Sequence, residues 1–228
     1  MGPRNSLKDR SNVVPDNSDS LPARIAAGLA QQIIRGELKP GDRVRQDTVA
    51  AEFDTSHVPV REAFRRLEAR GLLVSRERKG VYVPALDQAS IVEITRMRAA
   101  LEVLALRHAI PHLTDADFAL AEDAIAQAEH CRDIAAWEDA NRRFHSSLYR
   151  PCGMPRLLSD IDGLHEARLR YMYATAAMID WNAKSEAEHV ALVAAARRGD
   201  VALACALLER HVNDSGEILV AAVGALPG

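Results

Sequence analysis

The chain has 228 residues, of which 48% are hydrophobic and only 4% aromatic, and its formal net charge is -3. This length suits one large domain or two smaller ones. Its three cysteines are too few and too widely spaced for a disulfide framework or a zinc ribbon. No apolar run approaches the roughly 20 residues that span a bilayer, and the first residues lack a hydrophobic signal core. The composition argues against a disulfide-rich secreted protein and an integral membrane protein, and it predicts a cytoplasmic one.

Charge is distributed unevenly along the chain. Residues 1–84 carry 15 Lys and Arg against 11 Asp and Glu, a net charge of +4, whereas residues 85–228 carry 14 against 21, a net charge of -7. A basic front and an acidic rear predict that any polyanion is bound by the front. The excess is modest, so ordinary scatter of surface charge is the alternative interpretation.

The first third of the chain contains several short elements. Residues 1–20 are polar and aperiodic, which predicts a flexible arm. Apolar residues at helical spacing predict a helix over 21–35, ended by the glycines and proline of 36–41, and a second helix over 46–53. After a brief turn at 54–55 a third helix begins. Two short helices joined by a tight turn are typical of a helix-turn-helix.

The third helix is predicted over residues 56–71. Ser56 is a suitable N-cap, Pro59 falls in the first turn where its missing N–H has no cost, and Gly71 supplies the stop. One face is apolar and is predicted to be buried; its residues are Val60, Ala63, Phe64 and Leu67.

Another face of the same helix is polar and basic. His57, Arg61 and Arg65 recur at i, i+4 and i+8. A basic stripe at a helix N-terminus offers side-chain and backbone donors to an anion, which suits a helix that enters a DNA groove. A solvated amphipathic helix is the alternative.

The periodicity changes after Gly71. Residues 72–74 and 81–83 are predicted strands, and the basic residues of the connection are Arg76, Arg78 and Lys79. A hairpin with a basic tip is a wing that can reach phosphates or a minor groove. Three helices and this hairpin predict a winged helix-turn-helix domain over residues 21–84.

The rest of the chain is predicted to be entirely helical. Pro84 to Asp87 forms a short hinge, and the predicted helices span 88–110, 114–130, 133–150, 154–177, 184–198 and 201–222. Six helices with short loops form an antiparallel bundle. The predicted fold class is therefore mostly α, with an N-terminal winged helix-turn-helix followed by an all-α six-helix domain over residues 88–222.

Three histidines of this rear domain are predicted to meet. Asn141 and His145 are four residues apart, so they project side by side from one helix. His189 lies 10 residues before Gly199 and His211 lies 12 after it. In an antiparallel hairpin these positions reach nearly the same level. Imidazole donors favour zinc or nickel among divalent ions.

The histidines of the rear domain also allow other interpretations. A lone histidine on an amphipathic helix is usually a satisfied or exposed polar group, and His108, His112, His130 and His165 are assigned to that class. A helical metalloenzyme is the alternative for the trio, but no acid or base at a diagnostic spacing accompanies it. A winged-helix adaptor that binds protein instead of DNA is a further alternative.

Several motifs in order resemble a known family. In the front they are Val60-Arg61-Glu62-Ala63, Leu67-Glu68-Ala69-Arg70-Gly71-Leu72 and the wing that ends in Gly80. In the rear they are Met97-Arg98, Leu101-Glu102, Asn141, Phe144-His145, Glu188-His189 and Arg210-His211. The sequence resembles GntR-superfamily transcription regulators of the FadR branch, whose effector domain is called FCD. Six effector-domain helices, instead of seven, resemble the VanR-like subgroup.

The resemblance implies a dimeric, ligand-responsive repressor that is not an enzyme and that binds an inverted-repeat operator in double-stranded DNA. The residues expected to contact DNA are Arg45, Ser56, His57, Val58, Pro59, Arg61, Arg65, Arg78, Lys79 and Gly80. Arg61 is the first candidate for a base contact, because a guanidinium pairs bidentately with a guanine edge. Relatives commonly have Ser-Arg-Thr-Pro-Val-Arg at this helix start, so His57 and Val58 are departures.

The resemblance also implies a metal site and an effector site in the rear domain. The metal ligands are expected to be Asn141, His145, His189 and His211, although relatives usually have Asp at the position of Asn141. The effector is expected to be a small carboxylate, which completes the metal sphere and pairs with Arg98. Arg168 is a second effector candidate, with a surface salt bridge as its alternative role.

Overall fold

The computed structural model describes residues 20–131, 133–179 and 182–226, so the predicted arm lies outside the described residues except for Ser20. The described part contains nine α-helices and one small antiparallel sheet, arranged as a winged helix-turn-helix followed by a six-helix bundle. The predicted fold class is confirmed. None of the described helices is long and apolar enough to cross a membrane.

The front of the chain is built from three helices and three strands. In chain order these are α1 (Leu21–Ile34), β1 (Arg43–Val44), α2 (Gln46–Glu52), α3 (His57–Ala69), β2 (Val74–Arg76) and β3 (Gly80–Tyr82). The apolar face predicted for α3 is buried against α1, and its phenylalanine, Phe64, is only 3% exposed. This packing fixes the orientation of α3, so that its basic face points away from the core.

The wing differs from its prediction in two respects. Leu72 and Leu73 were predicted to begin a strand, but their backbone N–H groups both donate to the Leu67 carbonyl, at 2.9 and 3.3 Å, around Gly71 with φ +66°. Their N–H groups are therefore used in the helix C-cap, and their side chains join the core. The strand begins instead at Val74, and β3 lies between β2 and the unpredicted β1.

The rear domain consists of α4 (Gln88–Ala109), α5 (Asp115–His130), α6 (Ile134–Tyr149), α7 (Pro155–Thr175), α8 (Asn182–Arg197) and α9 (Val201–Gly224). Side-chain caps define several of their starts. Asp87, Asp133 and Asp200 each accept a hydrogen bond from a backbone N–H of the first turn, and Thr114 forms a capping box with Asp117.

Close packing of α9 on α4 positions one side of the bundle. At Gly216 a β-carbon would collide with the side chain of Thr95, so only glycine permits this approach. His211 lies five residues earlier on α9. The close approach at Gly216 therefore helps to fix the position of His211 in the bundle.

The two units are joined by polar contacts through α7. Arg70, the C-cap residue of the third helix, forms an ion pair with Glu166, in which its Nε donates to Oε2 at 2.7 Å. Arg170 Nη1 donates to the backbone carbonyl of Pro84 in the hinge at 2.9 Å. The rear-domain helix α7 therefore contacts both the C-terminal end of α3 and the linker.

Candidate DNA-binding surface and metal site

The third helix presents its basic face to solvent. His57, Arg61 and Arg65 are all exposed, and the side chain of Val58 is 74% exposed. Ser56 occupies the N-cap position as predicted, but its side chain makes no capping hydrogen bond. The first-turn N–H groups of α3 therefore lack a capping side chain at the end that meets a groove in winged helix proteins.

The wing presents a basic tip on the same side of the domain. Arg78 and Lys79 are exposed, whereas Arg76 stacks on the Tyr82 ring at 4.6 Å from its centroid. Gly80 adopts φ +107°, and a β-carbon there would lie 3.0 Å from the Arg43 Nε atom. The glycine thus lets Arg43 lie across the wing, a position for a basic residue that the sequence analysis missed.

A cleft of about 910 Å³, counting its part open to solvent, separates the wing from the helix-turn-helix. Arg43 and Arg45 line it from β1 and its end, and both are exposed. On the opposite side His57 Nε2 lies 3.3 Å from Asp47 Oδ1 on α2. The side chain of His57 therefore lies at the cleft next to an acidic residue of α2.

The three predicted histidines of the rear domain do converge. Within the described residues, His145, His189 and His211 form the group suited to a metal, with ligand atoms that all lie within 4.8 Å of one another. The Nε2 atoms of His189 and His211 are 3.3 Å apart. His145 and His189 are almost fully buried, and Phe144 stacks on His189 with ring centroids 3.9 Å apart.

The chemical state of these rings suits a metal ligand. Burial holds the pKa of His145 and His189 well below the usual value, and the neighbouring His211 lowers that of His189 further, so both rings are neutral at pH 7. His145 Nε2 is buried and has no hydrogen-bond partner. His211 Nδ1 contacts Glu188 Oε2 at 2.7 Å, which leaves its Nε2 for the site.

Asn141 lies on the same cavity as His145 and His211. Its Nδ2 donates to Glu138 Oε2 at 3.4 Å, whereas its Oδ1 is buried without a partner. An unsatisfied buried oxygen and an unsatisfied imidazole nitrogen on one cavity fit a pair of cation ligands, because buried polar atoms without partners are costly.

A buried polar network beside the histidines was missed in the sequence. Glu102 on α4 is fully buried and contacts Arg98 Nε at 2.8 Å, His165 Nε2 at 3.2 Å and the Tyr149 hydroxyl at 2.6 Å. Burial alone would raise the pKa of Glu102, but Arg98 and His165 hold it well below its usual range. His165 belongs to this network, whereas His108, His112 and His130 are exposed as expected.

Both arginines predicted for the effector line the cavity, which has about 510 Å³ counting its part open to solvent. The surface salt bridge considered for Arg168 is wrong, because its side chain is buried and pairs with Glu138 at 3.0 and 3.2 Å. Burial lowers the pKa of Arg168 against the opposing effect of Glu138. Its Nε has no partner, so one donor of this guanidinium stays available inside the protein.

Comparison with known proteins agrees with both halves of this geometry. Residues 21–83 match the family of bacterial regulatory proteins called gntR, and residues 93–214, more than half of the chain, match the FCD domain. The chain belongs to the GntR family of transcription regulators. Its FCD domain places it in the FadR-type branch. A GntR regulator binds DNA operators and is not an enzyme, so the metalloenzyme alternative is set aside.

Individual GntR relatives cover most of the chain. It is 32% identical over 190 residues to the probable D-xylose utilization operon transcriptional repressor of Paenarthrobacter nicotinovorans, which covers 81% of this chain and 82% of the relative. It is 28% identical over 193 residues to the Nta operon transcriptional regulator of Aminobacter aminovorans, with 81% and 90% covered. The solved structure of Escherichia coli McbR/YncC superposes with a TM-score of 0.72 at 26% identity, covering 88% of this chain and 97% of that one.

Proposed function

We propose that this regulator is a homodimeric repressor that senses a small carboxylate through a divalent metal ion and binds an inverted-repeat operator. The observation that carries the sensing part is the convergence of three histidine side chains, of which His145 and His211 line a cavity that two buried arginines also line. Named repressors among the relatives, such as that of the D-xylose utilization operon, support repression as the mode of action.

The DNA contact is proposed to follow the winged-helix arrangement. In each protomer α3 enters a major groove, where Arg61 pairs with a guanine and His57, Val58, Pro59 and Arg65 contact neighbouring positions. Ser56, Arg45, Arg78, Lys79 and Gly80 then lie against the flanking backbone. Arg43 joins this set, because it is exposed and crosses the wing at Gly80.

The metal is proposed to be zinc or nickel, held by His145, His189 and His211 through their Nε2 atoms and by Asn141 through Oδ1. Because imidazoles and an amide are neutral ligands, none of the four cancels the positive charge of the ion. When bound, such an ion supplies a Lewis-acid position for an anionic oxygen. A carboxylate effector fits that position, and its second polar group lies toward Arg98 and the unpaired Nε of Arg168.

The signal is proposed to pass through α7. His165 and Arg168 on this helix face the buried site, whereas Glu166 and Arg170 face the DNA-binding domain and its hinge. An effector that binds one arrangement of α7 more tightly shifts the population of the two DNA-binding placements.

A thermal-shift screen tests the sensing proposal. The full chain is unfolded with small carboxylates in the presence of zinc, in the presence of nickel and in the presence of a chelator. We expect one carboxylate class to raise the unfolding temperature only when the metal is present, because the metal provides its binding position. Stabilisation that persists in chelator would count against recognition through a metal.

Glu166→Gln is expected to weaken the communication between the two domains. It removes the charge that pairs with Arg70 on α3, an ion pair that is about one-third exposed. Such a pair is worth at most about 1 kcal/mol, so the change in operator affinity caused by the best carboxylate of the screen should shrink by up to about fivefold.

Fluorescence anisotropy with and without that carboxylate measures this coupling. Glu62→Gln is the matched control, because Glu62 also pairs with an arginine of α3, Arg66, at 3.2 Å but makes no contact with the rear domain through that pair. Equal coupling in the wild type, the control and Glu166→Gln would remove α7 from the mechanism.

A further inference from the structure

One turn after His145 on α6 lies Tyr149, which is 1% exposed. Its hydroxyl oxygen is 3.0 Å from His145 Nδ1 and 2.6 Å from Glu102 Oε2. A phenol therefore stands between a buried carboxylate of α4 and a histidine of the proposed metal site. Tyr149 is neither a proposed metal ligand nor a proposed effector contact.

The number of available protons fixes the direction of both hydrogen bonds. Glu102 forms a buried ion pair with the permanently charged guanidinium of Arg98 at 2.8 Å, so the group is a carboxylate and can only accept. The single hydroxyl proton of Tyr149 must then point to Glu102 Oε2. Its oxygen is left as an acceptor, and among the described residues the partner on its other side is His145 Nδ1. That nitrogen must carry the ring proton.

We propose that Tyr149 is a positioning residue, anchored by Glu102, that holds His145 in the tautomer with its proton on Nδ1. The lone pair is then on Nε2, the atom that is buried without a partner and faces the other two histidines. The proposal deepens the proposed metal site and rests on it for its functional consequence, but the tautomer itself is a property of the metal-free protein.

The arrangement also restricts the ring. Rotation of His145 about its Cβ–Cγ bond would break the bond to Tyr149, and the edge contact with Phe144, with centroids 5.0 Å apart, limits its tilt. A carboxylate that orients a metal-binding histidine is a general device, and losing such a partner costs about 10–100-fold in metal affinity. Here the carboxylate acts through an intervening phenol.

The tautomer can be measured directly in the wild-type full chain without metal. Long-range nitrogen–proton NMR correlation on protein labelled at the histidine nitrogens distinguishes a ring protonated at Nδ1 from one protonated at Nε2. The signal of His145 is assigned by its loss in His145→Gln. We expect a proton on Nδ1 at neutral pH. A proton on Nε2 overturns the proposal whatever any variant does.

Tyr149→Phe removes only the hydroxyl and keeps the ring. We expect the His145 signal to move away from the pure Nδ1-protonated pattern and the affinity for zinc, measured by competition with a chromophoric chelator, to fall about 10–100-fold. Tyr171→Phe is the matched control, because that buried hydroxyl accepts a hydrogen bond from Arg170 at 2.7 Å instead of contacting His145. It should leave both the tautomer and the zinc affinity unchanged.

The outcomes separate this inference from the proposed metal site. Absence of zinc binding in the wild type, together with a proton on Nδ1, defeats the metal site but keeps the positioning role. Zinc binding by the wild type with unchanged tautomer and affinity in Tyr149→Phe defeats the positioning role but keeps the metal site. If Tyr149→Phe fails to fold, the tautomer of His145 in the wild type still tests the positioning role.

Discussion

Arg61→Ala is expected to abolish specific operator binding without unfolding the protein. Arg61 is exposed on the first turns of α3, and Val60 and Ala63 on the neighbouring face carry the packing. A bidentate arginine–guanine contact is worth about 1–3 kcal/mol, so the two copies in a dimer contribute about 2–6 kcal/mol. This corresponds to a loss of roughly 30-fold to 10⁴-fold in affinity for the operator.

The measurement requires an operator that the protein selects itself. Duplexes are enriched from a random library with the wild-type chain, and the best sequence is used in a gel-shift titration. Arg66→Ala removes the same charge from the same helix, but Arg66 pairs with Glu62 and lines the groove toward α1 and Glu166. It should keep near wild-type affinity. Wild-type affinity in Arg61→Ala would refute the assignment of α3 as the reading helix.

Local periodicity was sufficient to predict the helices and the buried face of α3. In α3 the four apolar positions at helical spacing are all buried, and His57, Arg61 and Arg65 of the predicted basic face are exposed. Caps such as Asp87 and Thr114 act within one turn of the chain, so their signal is also local. The approach of His189 and His211 followed from hairpin geometry around Gly199, because an antiparallel pair has a fixed rise per residue.

What the sequence did not predict depends on contacts between distant segments. β1 has only two residues and becomes a strand because β3 pairs with it. Leu72 and Leu73 have strand-like side chains, but the helix C-cap uses their N–H groups. His165 shows no feature that distinguishes it from a surface histidine until α7 packs on α4 and brings it to Glu102.

The buried carboxylates show a similar limit. Arg98 and Glu102 are four residues apart, a spacing that on a solvated helix forms an ordinary ion pair. Only the packing of α6 and α7 on α4 buries that pair and adds Tyr149 and His165 to it. Pattern analysis thus predicted the histidines that converge, whereas the polar groups packed around them required the tertiary structure.

His211→Ala is expected to remove most of the stabilisation that zinc gives to the protein. A ligand at about 1,000 times its dissociation constant stabilises the folded state by about 4 kcal/mol. For a chain of this size 1 kcal/mol shifts the unfolding temperature by roughly 2–4 °C, so zinc should raise that of the wild type by roughly 8–16 °C. His211 is the best site for the change, because its side chain is 11% exposed and its loss disturbs the core least among the three histidines.

A control variant and a comparison of unfolding with zinc and with chelator show whether His211→Ala loses zinc binding. His108→Ala removes an exposed imidazole from α4 and should keep the full zinc shift. Without metal, His211→Ala should unfold somewhat below the wild type, because it loses the packing of the ring and its contact with Glu188. A zinc shift in His211→Ala equal to that of the wild type would contradict the three-histidine site. A lower unfolding temperature in the metal-free variant alone would instead report lost packing, which the difference between the zinc and chelator curves of each protein separates from lost binding.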